Sequence, residues 1–87
     1  MKGLGRTDPT AKRETAKADA LKRIQRLTPR QRDVLDAVWA GLSDKEASVL
    51  LNIKSTRTVN VHVAAILQRL GVKSRVLAAV LWERACK

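Results

Sequence analysis

From Ser55 to Gly71 the apolar residues Val59, Val63, Ile66, Leu67 and Leu70 stand at the spacing of one side of an α-helix. Arg57, Asn60, Val61, Ala64 and Gln68 then fall on the other side, with small residues at its centre and polar or cationic ones around them. A face of that kind can lie close against a groove. Upstream, Val34, Leu35, Val38 and then Leu42 make the buried stripe of an earlier helix. Ala16, Ala20, Leu21, Ile24 and Leu27 make a thinner stripe nearer the N-terminus.

The residues between these stripes are helix punctuation. Thr28-Pro29-Arg30-Gln31 places Thr at the N-cap, Pro at the first helical position and Gln at the third. Together they form a capping box, which satisfies amide donors that the helix would otherwise leave free. This helix is predicted to run to about Ala40 and stop at Gly41. Ser43-Asp44-Lys45-Glu46 repeats the box, with an acidic residue in the first turn where the helix dipole favours it. The short helix that follows ends near Leu51, and Asn52-Ile53-Lys54 makes the turn. Ser55 caps the next helix, and Gly71 ends it at a position suited to left-handed backbone. Ser74 caps a last helix to about Ala85. The predicted fold is therefore all-α, and its short helix, tight turn and longer helix form a helix-turn-helix arrangement.

Charge supplies the groove. The chain has 87 residues and a formal charge of +10, which makes nucleic acid the natural partner for the outer face of the longer helix. Residues 1–26 hold eight Lys or Arg against three acids, and residues 27–87 hold ten against five, so the first segment is the more densely basic. Met1 to Pro9 is predicted to be disordered, while the Ala, Lys and Arg content from Thr10 onward favours a helix. A solvated basic arm that orders only on a partner is the other reading of residues 1–26. In either form the segment adds phosphate contacts beside a DNA-binding domain.

Several function classes are excluded by what remains. The aromatic residues are two Trp, with no Tyr or Phe, so the base-stacking platforms of RNA and single-strand recognition are poorly served. The longest apolar run, Val76 to Trp82, is far below the roughly 20 residues of a membrane span, and the basic N-terminus lacks the apolar stretch of a secretory signal. A cytoplasmic, nucleoid-associated location is expected, with no membrane partner. The lone Cys86 excludes an internal disulfide framework, and a single His makes metal ligation improbable. With no nucleophile and base pairing and no Gly-rich phosphate loop, neither enzymatic activity nor a cofactor is expected.

Four segments taken together resemble a known family. Leu27-Thr28-Pro29-Arg30-Gln31-Arg32-Asp33-Val34-Leu35, Gly41-Leu42-Ser43-Asp44-Lys45-Glu46, Thr58-Val59-Asn60-Val61-His62 and Leu70-Gly71-Val72-Lys73-Ser74-Arg75 look like the LuxR/GerE-type DNA-binding domain of bacterial transcription regulators. The resemblance covers about residues 27–87 and keeps the order of all four motifs. It implies a four-helix domain whose third helix, here about 55–70, enters the major groove and whose fourth commonly supplies a dimer contact. Most family members carry a receiver or ligand-sensing domain ahead of this one. With a basic segment of 26 residues there, the chain looks like one of the stand-alone members.

The chain departs from the family pattern at particular positions. Gln31 stands where Glu is usual and Ala47 where a larger aliphatic is usual, which thins the core unless Val49 or Leu50 turns inward. Lys54 reads as one extra residue in the turn, able either to tilt the third helix or to be absorbed. Asn60 and Ala64 stand where Lys is frequent. Leu77 replaces a polar residue and Trp39 a small one, leaving the last helix apolar on more than one side.

Groove chemistry assigns the candidate residues. Asn60 can match adenine N6 and N7 in the major groove, a bidentate pairing worth about 1–3 kcal/mol of discrimination, and Val61 and Ala64 can meet a thymine methyl. Arg57, at the helix start, reaches guanine or phosphate. Solvation of Asn60 and Arg57, and packing of Val61 and Ala64 on a neighbouring chain, are the plainer readings. Ser55, Thr56 and Thr58 surround a helix N-terminus that favours an anion, with Ser55 also serving as the cap. Lys54, Arg69, Lys73 and Arg75 flank the helix as further phosphate candidates. His62 is either a phosphate donor implied by the resemblance or a partly buried histidine satisfied by a neighbour. Leu77 offers either a symmetric dimer through the last helix, with half-sites about 34 Å apart, or, together with Trp39, a dock for the helix of residues 10–26.

The function expected is sequence-specific binding of duplex DNA in transcription regulation. Two rivals belong to other classes. One is an RNA polymerase-binding module similar to sigma-factor region 4, against which the Gly71 to Arg75 link and the long last helix argue. The other is a protein-interaction module that captures another regulator through the Leu77 face, with weak or non-specific DNA binding.

Overall fold

The computed structural model of the protein describes residues 9–86, with side chains from Ala16 onward. Among the described residues there are five α-helices and no strand: α1 (Pro9–Ile24), α2 (Pro29–Trp39), α3 (Asp44–Leu50), α4 (Thr56–Leu70) and α5 (Arg75–Cys86). The disorder expected before Pro9 lies outside the described residues, and Pro9 itself opens α1. Both capping boxes close as read. Thr28 Oγ1 accepts from the Gln31 amide at 3.1 Å while Gln31 Oε1 accepts from the Thr28 amide at 3.0 Å. Ser43 Oγ and Glu46 Oε1 do the same at 3.1 and 2.8 Å, and these bonds hold the Glu46 carboxyl below its ordinary pKa.

The ends of the helices are closed by left-handed residues. Asn52 at φ 55° lets the Ile53 amide reach back to the Ser48 carbonyl at 2.8 Å, and Gly71 at φ 71° lets the Val72 amide reach Leu67 at 3.0 Å. Both are the paired-bond stop that favours Gly or Asn, because a Cβ crowds the left-handed backbone. Lys54 in the turn before α4 is exposed, and Ser55 accepts from the Thr58 amide at 3.2 Å.

One core joins all the helices. α5 lies against both α1 and α2, and α4 lies against α2 and α3. Leu35, Ile66, Leu70, Val34 and Val59 are the largest fully buried side chains. Each stabilises the fold by about 1.5–3 kcal/mol relative to its exposed state, before the entropy of ordering is set against it. α1 contributes Ala20 and Ile24 to this core, with Leu27 just beyond its end. Leu21, expected in the same stripe, stays exposed, because the contact is a narrow line that small Ala20 allows to come close. Ala47 is itself buried, so neither Val49 nor Leu50 turns inward, and both remain on the surface.

The end of α1 also meets the end of α4 through polar bonds. Arg23 Nη1 donates to the Leu70 carbonyl at 3.1 Å, and Arg26 Nη1 to the Arg69 carbonyl at 3.5 Å. Arg69 Nη1 returns a bond to the Arg26 carbonyl at 3.0 Å. The last carbonyls of a helix lack internal partners and carry the negative end of its dipole, so cations placed there both satisfy and neutralise them.

Candidate nucleic-acid interface

α4 separates its two faces cleanly. Val59, Val63, Ile66 and Leu70 are buried, whereas Arg57, Asn60, Val61, Ala64 and Gln68 are all exposed, with Val61 63 % exposed. The five outward residues lie where the helical spacing placed them. Val61 and Ala64 leave the middle of this face low, so another surface can approach the helix backbone there.

The helix start is open as well. Ser55, Thr56 and Thr58 are exposed around the first turn of α4, which carries no acidic residue. Ser55 Oγ serves as the cap of the Thr58 amide and also lies 3.1 Å from Thr58 Oγ1. Unpaired amides and the positive end of the dipole make such a turn hospitable to phosphate. Lys54, just before α4 in the chain, and Lys73, just after it, are exposed. His62 is half-buried beside the core stripe.

Two of the expected phosphate donors also have internal partners. Arg69 is occupied with the Arg26 carbonyl at the far end of α4. Arg75 holds the Asp44 carboxylate in a two-pronged bond, Nη1 to Oδ1 at 2.6 Å and Nη2 to Oδ2 at 3.1 Å, and donates from Nη2 to Asn60 Oδ1 at 2.8 Å. The Arg75 hydrogen bond is the main cause that lowers the Asp44 pKa and raises that of Arg75. Asp44 was legible only as a first-turn acid. Its pairing with Arg75 joins residues 31 apart in sequence, and the signal available was two opposite charges each opening a helix.

The two candidate contact residues on the other side lie apart from α4. Leu77, about half exposed, borders a cleft with Asp19 and Arg23 of α1. Trp39 borders a different cleft, formed with Val76, Val80 and Leu42 between α2 and α5. The two thus border separate clefts, and residues of α1 line the one at Leu77. Among the described residues no group of acidic, His or Cys side chains is arranged to hold a metal, and no helix is long and apolar enough to cross a membrane.

Comparison with known proteins agrees with this geometry. The family described as bacterial regulatory proteins, luxR family, matches residues 25–82. The chain is 46% identical over 56 residues to the nitrate/nitrite response regulator protein NarP of Escherichia coli (strain K12), an overlap of 64% of this chain and 26% of that protein. It is 41% identical over 70 residues to NarL, a nitrate/nitrite response regulator protein of the same strain, covering 80% of this chain and 30% of NarL. It is 45% identical over 56 residues to the transcriptional regulatory protein FixJ of Rhizobium meliloti (strain 1021), covering 64% of this chain and 27% of FixJ. The chain thus spans about a third or less of the length of these curated relatives. No solved structure gives a significant match. The family is regulatory and not enzymatic, and its helix-turn-helix domain is a DNA-binding one. With four motifs in order, two closed capping boxes and a family match across residues 25–82, the chain belongs to the luxR family of bacterial regulatory proteins.

Proposed function

We propose that this protein regulates transcription by binding specific duplex DNA sequences, with α4 in the major groove. The observation that carries the reading is the exposed face of α4, low and nearly free of acid, between Lys54 and Lys73. Arg57, Val61 and Ala64 meet base edges, and Ser55, Thr56, Thr58, Lys54, Lys73 and His62 contact phosphates. Phosphate contacts set affinity and its salt dependence, while base contacts set the choice of sequence. Selection of bound sites from a random duplex pool, followed by footprinting, tests this. Protection of a defined site supports the proposal; salt-sensitive coating without a footprint contradicts it.

The protein acts on DNA as a dimer through α5 in this proposal. Val76, Leu77 and Val80 are exposed apolar residues on that helix, and cover over them favours a second copy. Sedimentation of the intact chain with and without an operator duplex checks the point. Two copies per site are expected, and one copy per site rejects the dimer.

A further inference from the structure

Asn60 sits in the middle of the outward face of α4, yet its amide is already paired inside the protein. Arg75 Nη2 donates to Asn60 Oδ1 at 2.8 Å, and Arg75 is itself held by Asp44 through bonds of 2.6 and 3.1 Å. A guanidinium offers only donors, so the amide oxygen must be the end that faces it. The oxygen end of the amide is thereby turned to the ion pair.

Reading adenine requires both ends of the amide on one base edge. The oxygen of Asn60 already gives one of its two acceptor positions to Arg75, so the orientation of the amide is set from inside the protein. The three residues come from three helices: Asp44 opens α3, Arg75 opens α5 and Asn60 lies on α4. A bond network across three elements holds their relative placement.

We propose that Asn60 is a positioning residue: with Asp44 and Arg75 it pins the outer face of α4 to the starts of α3 and α5. It thereby sets the angle at which α4 meets the groove, and base discrimination falls to Arg57, Val61 and Ala64. This assignment rests on the groove reading proposed above. It differs from a reading role in what a substitution does to sequence preference.

The test uses the full chain. A site selected by the wild type, and each single base-pair change of it, are titrated with wild type, Asn60→Ala, Arg75→Met and the double variant. Asn60→Ala is expected to bind every duplex about three- to tenfold more weakly, the size of one partly exposed hydrogen bond, with the order of preference at each base pair kept. The double variant is expected to bind no more weakly than Arg75→Met alone, because the two changes remove one network. Loss of preference at a single base pair in Asn60→Ala would make it a reader and overturn the proposal. Wild-type affinity in Asn60→Ala, or additive losses in the double variant, would overturn it too. If Arg75→Met loses its helical circular dichroism, Asp44→Asn replaces it in the same cycle. All those outcomes leave the groove reading standing, whereas a wild type that selects no sequence at all removes that reading and this one together.

Discussion

The two ends of α4 are built for different work. At its C-terminal end Ile66 and Leu70 are buried, Gly71 closes the helix, and Arg23 of α1 and Arg26 just beyond it occupy its last carbonyls. At its N-terminal end Ser55, Thr56, Arg57 and Thr58 are exposed, and Val59 is the first residue to enter the core. The difference shows how a domain this small presents a rigid surface. One end of the helix is fixed from several sides, so the other can stand free without being floppy. Stability and recognition therefore sit on separate residues of a single helix.

That separation is open to test, starting with the largest expected effect. Ile66→Ala should destabilise the fold by about 2–5 kcal/mol in urea unfolding, the usual cost of emptying a buried site. Gly71→Ala should cost about 1–2 kcal/mol, because the added Cβ meets no neighbour within 4 Å and the whole penalty is left-handed backbone strain. Arg23→Ala, which frees the Leu70 carbonyl, should cost about 0.5–1.5 kcal/mol. A change at Arg23 that left stability untouched would show that α1 does not brace α4.

Smaller effects belong to the open end. Asp44→Asn should cost at most about 1 kcal/mol near neutral pH, since the ion pair is partly exposed. The Asp44 pKa is lowered, chiefly by the hydrogen bond from Arg75, so the folded protein binds that proton less readily than the unfolded chain does. Its contribution is complete above about pH 4, the ordinary Asp range, and is lost as pH falls through the lowered value. The difference in melting temperature between wild type and Asp44→Asn should close over that acid range. A gap that persists unchanged to pH 2 contradicts the account. Arg57→Ala should move stability by less than about 0.5 kcal/mol, yet weaken binding to the selected duplex and relax its preference at one base pair. Destabilisation by Arg57→Ala as large as that of Ile66→Ala would erase the contrast between the ends.

Local chemistry made much of this legible before any coordinates. Thr28, Ser43, Ser55 and Ser74 are caps because their hydroxyls reach amides only three residues away, and sequence spacing contains that distance. The outward face of α4 was readable for the same reason, since helical period alone decides which residues share a side. What spacing does not contain is the meeting of distant segments. Asp44, Asn60 and Arg75 converge from three helices, and Arg23 and Arg26 find the end of α4 from more than 40 residues away. Asn60 in isolation suggested an amide free to pair with a base; only packing reveals that Arg75 already holds it. At Ala47 the pattern left open whether Val49 or Leu50 turns inward, and only the packing shows that both stay outside.

The central claim is that the free end and outer face of α4 meet the DNA while its braced end does not. Amide and methyl NMR shifts of the intact chain, followed as a selected duplex is added, test it most directly. Thr56, Arg57, Val61 and Ala64 are expected to shift most, with the buried Ile66 and Leu70 little changed. Shifts centred on Val49 and Leu50 of α3, with Val61 and Ala64 unmoved, would contradict it.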